Sequence, residues 1–244
     1  MNNENAIMED KNYFSSKRSS LLQLLHLSDP TLPIGGFSHS AGLETYVQLN
    51  IVNNLVAAKE FIMGMLSQNI KYTDAAFMSL AFTATQNNNW EKIMALDEEC
   101  SALKLPKEIR EASQKMGVRL LKIFIDIHPN ELVEKYLQAI QNKLLTGHYC
   151  IVFGLYASLL HISLQDALIG FYYNAAVGMV TNSVKLIPLG QMDGQQLLFS
   201  LQPLIESLAV ESIKPDENLL GLCCAGFDIR CMQHEQLYSR LYMS

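Results

Sequence analysis

Apolar residues recur at three- and four-residue intervals along almost the whole chain, and strict apolar–polar alternation hardly appears, which predicts helices rather than strands. Ser19 and Ser20 can cap a short helix through Leu21, Leu24 and Leu25 that stops at Asp29-Pro30. Ser38 or Ser40 can cap the next, through Leu43, Tyr46 and Val47. Asn53-Asn54 opens a third with Leu55, Phe61, Ile62, Met65 and Leu66 on one face, Thr73 caps a fourth and Asn89 a fifth. Pro106 and Pro129 each stand where a first helical residue belongs, ahead of apolar series through Phe124 and Ile140. Two nearly all-apolar helices are expected over 147–161 and 164–186, the second opened by Ser163 and Asp166 at capping-box spacing. A helix over 195–211 should kink at Pro203, and a last one should cover roughly 228–241. The expected fold is therefore all-α: a single-domain bundle of about ten helices over 19–244, with two nearly all-apolar central helices. The polar stretch Met1–Arg18 reads as a disordered leader of 1–18.

Composition narrows the function. Apolar residues make up 49% of the 244 residues and charged ones only 17%, against about 25% in a typical globular chain. A net charge of −6 argues against nucleic acid or an anionic membrane as partner. The longest apolar run, Cys150–Leu160, is far short of the roughly 20 residues a membrane span requires. Five cysteines with no apolar leader ahead of them suggest a reducing, cytoplasmic setting. Between Leu144 and Val210 the only charged residues are Asp166, Lys185, Asp193 and Glu206. That half is either a buried bundle core or an obligate interface, in which case one face of helices 147–161 and 164–186 would mediate self-association.

Candidate chemistry is sparse. "GFSHS" has serine where a nucleophile elbow needs its final glycine, and no strand precedes it. No GK[ST] phosphate loop occurs. Cys223, Cys224, Cys231 and His234 lie within twelve residues but lack paired zinc-ligand spacing, so no metal site is assigned; His39, Cys231 and His234 are only weak candidates. The other histidines, at 26, 128, 148 and 161, read as structural. Lys185 is a snorkelling lysine at a helix end or a charge presented to a partner.

The stretches "LLQLLHLSDPTLPIGGFSHSAGLETYV", "TGHYCIVFGLYASLLHISLQDALIGFYY", "SVKLIPLGQMDGQQLL" and "DIRCMQHEQLYSRLYMS", in that order, resemble the UreF family of urease accessory proteins. The adjacent Cys223 and Cys224 depart from what the resemblance leads one to expect. The resemblance implies an all-α, cytoplasmic, homodimeric protein without catalysis of its own, no enzyme, and no stably bound cofactor. It further implies a complex with UreD (UreH in some organisms) and the GTPase UreG on the urease apoprotein. GTP would be bound by the GTPase, and nickel handled by the complex. The alternative class is a metal-binding or small-molecule-binding helical bundle, which would need a polar cluster within the apolar half.

Within that frame the loop Asp29–Tyr46 is a surface that partners read, since two prolines and two glycines would limit the ordering cost of binding it. Expected partner-binding residues there are Pro33, Gly35, Gly36, His39, Glu44 and Tyr46. A second edge would use Lys185, Gln191 and Asp193, with Gln191 and Asp193 fixing the turn. The tail, with Tyr238, Arg240 and Tyr242, is expected to order against this loop under a partner, Arg240 pairing with Glu44 or Tyr46.

Overall fold

The computed structural model describes residues 20–222 and 224–243, so the leader and Cys223 lie outside the described residues. Among those residues there are helices and no strands. α1 covers 20–27, α2 Leu43–Gln48, α3 Leu55–Gly64, α4 Asp74–Gln86, α5 Trp90–Leu103 and α6 Lys107–Ile127. α7 covers Glu131–Gln141, α8 Tyr149–Leu159, α9 Leu164–Leu186, α10 Gln191–Ser200, α11 Gln202–Glu211 and α12 Ala225–His234.

Asn54, Asn89 and Ser163 cap as expected, each side chain accepting a first-turn N–H. Thr73 does not: its hydroxyl donates back to Asn69 O, because the preceding π-helical turn, Met65–Ile70, leads straight into α4. The residue flanking α2 is Gly42, in the left-handed region (φ 77), rather than Ser38 or Ser40, although Ser40 Oγ still accepts the first-turn Glu44 N–H at a long 3.5 Å. Pro129 stands two residues before the first helical residue, Glu131, and Asn130 takes the capping position by accepting Leu132 N–H at 2.9 Å. Pro203 does not kink a long helix but opens a new one, since its ring fits the first turn of α11 where no N–H is needed. The last helix starts three residues earlier than expected and ends at His234, leaving 235–243 irregular.

The core is built around α8. Every residue from Cys150 to Ala157 is buried, enclosed by α4, α6, α5 and α9. Two glycines permit the approach. A Cβ on Gly154 would collide with Met78 O and sit 3.1 Å from Phe82 N, so α4 and α8 touch backbone to backbone. A Cβ on Gly117 would meet the 147–149 backbone, so α6 presses on the entry to α8. That entry is fixed by the buried carboxylate of Asp97, which accepts from Tyr136 Oη at 2.6 Å, Thr146 N at 2.7 Å and Gly147 N at 3.0 Å. Such a desolvated charge is tolerable because its oxygens are met by several donors. His148 is structural as expected, wedged between Ser101 Oγ (2.8 Å) and Ser113 Oγ (3.1 Å).

α9 is not buried all round. Its inner face is buried, but Tyr173, Gly178, Thr181 and Lys185 are exposed. Of the two helices expected to share a self-association face, α8 has no exposed residue between Cys150 and Leu159, so only α9 can supply one.

Candidate functional site

The loop and the tail meet on one buried carboxylate, Glu44. Gly42 makes this possible: a Cβ there would lie 2.7 Å from Cys231 Sγ, so only glycine lets α12 press against the start of α2. Glu44, in the first turn of α2, is thereby sealed under the tail with 4% exposure. Its Oε1 accepts Leu241 N–H at 2.7 Å and its Oε2 accepts Tyr242 N–H at 3.1 Å. His234, the fully buried last residue of α12, reaches Glu44 Oε2 from Nε2 at 3.2 Å and Glu108 Oε2 from Nδ1 at 2.7 Å. Arg240 closes the chain of contacts on Glu108 Oε1 at 2.7 Å. Each ring nitrogen of His234 therefore faces a carboxylate oxygen, which fixes the ring between α2 and α6. The Arg240 guanidinium, itself exposed, closes the cluster at its outer edge.

Further bonds tie the tail to the loop. Met243 N donates to Ser38 O at 2.8 Å, and Gln48 Nε2 to Ser239 O at 3.0 Å. The loop itself is held from two sides, by Arg119 Nη1 on Ile34 O (3.1 Å) and Asn182 Nδ2 on His39 O (2.9 Å). Gly35, at φ 90, is left-handed, and a Cβ there would collide with the Arg119 guanidinium. Pro33, Gly36 and Phe37 face outward.

The structure therefore brings Gly35, Gly36, Glu44, Arg240 and Tyr242 together, with one exchange of partners. Arg240 pairs with Glu108 of α6, not with Glu44 or Tyr46; Glu44 is occupied by tail amides and His234, and the Tyr46 ring packs at a tilt against Phe61, 5.0 Å between centroids. Tyr242 is buried and Tyr238 fully exposed, so only the latter is available as an aromatic anchor. A tail expected to order only under a partner is already laid on the bundle in the isolated chain.

Lys185, Gln191 and Asp193 form a separate edge. Lys185 is exposed in the last turn of α9, and Gln191 is the exposed first residue of α10. Asp193 fixes the turn by accepting Gly190 N–H at 2.8 Å. The two regions share a cavity of about 300 Å³ between the loop, α6 and α9, lined by both His39 and Lys185. Deeper in, Lys104 Nζ meets Asp74 Oδ2 at 2.7 Å. Burial disfavours both charges, but each holds the other ionised: Asp74 is kept below its usual carboxyl value and Lys104 above its usual ammonium value. Burial, reinforced by the positive charges of Lys115 and Arg119, pushes the His39 imidazole down.

The weak metal candidates do not converge. His234 spends both nitrogens on carboxylates, and burial pushes the Cys231 thiol well up. Among the described residues, no group of three or more His, Cys, Asp or Glu is arranged to hold a metal. The sequence reading missed Glu108, Arg119 and Asn182, which lie far along the chain from the loop they hold. Only the apolar periodicity of α6 and α9 was visible there, and it says nothing about which polar residue faces the loop.

The family model for UreF matches residues 52–202. The chain belongs to the UreF family of urease accessory proteins. It is 50% identical over 221 residues to urease accessory protein UreF of Actinobacillus pleuropneumoniae, covering 91% of this chain and 97% of that one. It is 51% identical over 221 residues to the Haemophilus influenzae (strain Rd) UreF, covering 91% and 94% respectively. A more distant UreF, from Bacillus sp. (strain TB-90), is 34% identical over 226 residues, 92% of this chain and 99% of that one. Membership of the UreF family places the chain in urease maturation, an accessory role exercised through protein partners. Among the described residues no helix is long and apolar enough to cross a membrane.

Proposed function

We propose that the chain is a non-catalytic, cytoplasmic scaffold that joins UreD/UreH and the GTPase UreG on the urease apoprotein. In this role it couples GTP hydrolysis by UreG to delivery of nickel, the cargo, into the urease active site, and binds neither nickel nor GTP stably itself. The observation that carries the reading is the joining of the loop and the C-terminal tail on Glu44. It fixes two distant segments as one surface, from which Phe37 (71% exposed), Tyr238, Leu241 and Met243 project beside Pro33 and Gly36. A preordered surface with exposed aromatic anchors binds a protein at low entropic cost. We assign this surface to UreD/UreH, and the Lys185–Asp193 edge to communication with UreG. Self-association, as a homodimer, would use the charge-poor outer face of α9.

Co-purification with tagged UreD/UreH tests this, using Phe37→Asp and Tyr238→Ala, whose side chains are exposed and whose folding should be unaffected. Loss of capture with an unchanged melting temperature is expected. Wild-type capture by the double variant would overturn the assignment. A second reading, a small-molecule-binding bundle, rests on the 300 Å³ cavity, whose walls are mostly apolar. Its polar floor is already self-paired through Asp74 and Lys104, which leaves the scaffold reading ahead.

A further inference from the structure

We propose that Cys100 and Cys150 form a reversible dithiol–disulfide pair, a modification site that staples the end of α5 to the first turn of α8. The two sulfurs are 3.8 Å apart, in mutual contact, on helices otherwise joined at this end by polar bonds such as Ser101 to His148. A disulfide requires about 2.05 Å, so the sulfurs must close by roughly 1.8 Å, within reach of small side-chain rotations. The four described cysteines are all free thiols, and both Cys100 and Cys150 are buried.

The surroundings favour reaction at Cys100. Burial alone would push its thiol up, but hydrogen bonds involving Cys150 and His148 and the Lys104 charge outweigh burial and bring it below the usual thiol value. Cys150 shifts the other way, chiefly through burial. One sulfur is thus the nucleophile and the other stays a thiol until it resolves the intermediate. Neither side chain touches bulk solvent, but the cavity reaches Lys104, Ser113 and Tyr149, the last adjacent in sequence to Cys150. A small hydroperoxide has a route to the pair by that path. The Cys100 thiolate attacks the peroxide oxygen and breaks the O–O bond, giving a sulfenic acid and, after protonation, an alcohol or water. The Cys150 thiol then attacks the sulfenic sulfur, forming the S–S bond and releasing water. Two thiols are oxidised by two electrons while one peroxide is reduced.

The experiment treats the purified full chain with hydrogen peroxide, alkylates the remaining thiols after denaturation, and maps peptides by mass spectrometry. The expected product is a Cys100–Cys150 linked peptide two hydrogens lighter than its reduced parts, restored by dithiothreitol. Closing a loop with a separation of 50 residues should also raise the melting temperature by several degrees. Cys150→Ala should stop at a Cys100 sulfenic acid that dimedone traps. Recovery of Cys100 and Cys150 as alkylated thiols, under treatment that consumes Cys224, would overturn the proposal and leave the pair as core packing.

Discussion

Replacing Glu44 by alanine removes the acceptor on which loop and tail meet. Three contacts go: Leu241 N–H at 2.7 Å, Tyr242 N–H at 3.1 Å and His234 Nε2 at 3.2 Å. Hydrogen bonds to a charged group contribute about 1.5–3 kcal/mol each, which would sum to roughly 4–9 kcal/mol if nothing relaxed. The tail is terminal, however, so its two amides can return to water. The loss then becomes the docking energy of the tail, chiefly burial of Tyr242 at about 1.5–3 kcal/mol, plus the weaker setting left for His234. A net cost of about 3 kcal/mol follows, or a melting temperature lower by about 6–12 °C in a chain of this size. The assay is urea denaturation of four proteins: wild type, Glu44→Ala, a chain lacking residues 235–244, and the two changes combined. Because the tail supplies two of the three partners, truncation should reduce the cost of Glu44→Ala by about 2 kcal/mol, a coupling well above additivity error. If Glu44→Ala costs the same in the truncated chain to within about 0.5 kcal/mol, Glu44 does not hold the tail and the reasoning fails.

Asp74→Asn should destabilise the chain by about 3–5 kcal/mol, because it strands the buried Lys104 ammonium, and adding Lys104→Met should restore most of the loss in urea melts. With the Asp74 carboxyl held below its ordinary value, the pair's contribution should persist from neutral pH to about pH 4 and disappear only as pH falls further. The wild type and the double variant should therefore differ in acid stability only in that lower range. Gly154→Ala, which drives a methyl into Met78 O, should cost about 1–3 kcal/mol in the same melts; a neutral effect would contradict the close α4–α8 contact. Lys185→Ala should leave the melting temperature within about 1 °C yet change the GTP dependence of urease activation in a reconstituted assay. Wild-type activation would return Lys185 to a snorkelling role.

Helix content was legible because its signals are local. Asn54, Asn89 and Ser163 announce their helices by a side chain that reaches the N–H three residues on, and the structure agrees at each. The errors arise where a local signal had two outcomes. Pro203 could kink one helix or open another, and the turn at Leu201 decides for the second. Ser38 and Ser40 were plausible caps, but the close approach of Cys231 puts Gly42 at the start of α2 and leaves Ser40 only a long bond to Glu44 N–H. The candidate site was half legible for the same reason. A loop dense in proline and glycine marks itself, and a short tail rich in tyrosine and leucine marks itself too. What joins them is not written near either one: Glu108 and Arg119 stand on α6, Asn182 on α9 and His234 at the end of α12. Each is one polar residue on a helix whose periodicity reports only its apolar face. Hydrogen-bond satisfaction narrows the choice once the fold is known, since a buried Glu44 needs partners and His234 is the side chain that reaches it. Arg240 follows from the same requirement at Glu108. The pairing of Arg240 was therefore decided by which carboxylate was still open after His234 and the tail amides had filled Glu44, a question that only three-dimensional packing can answer.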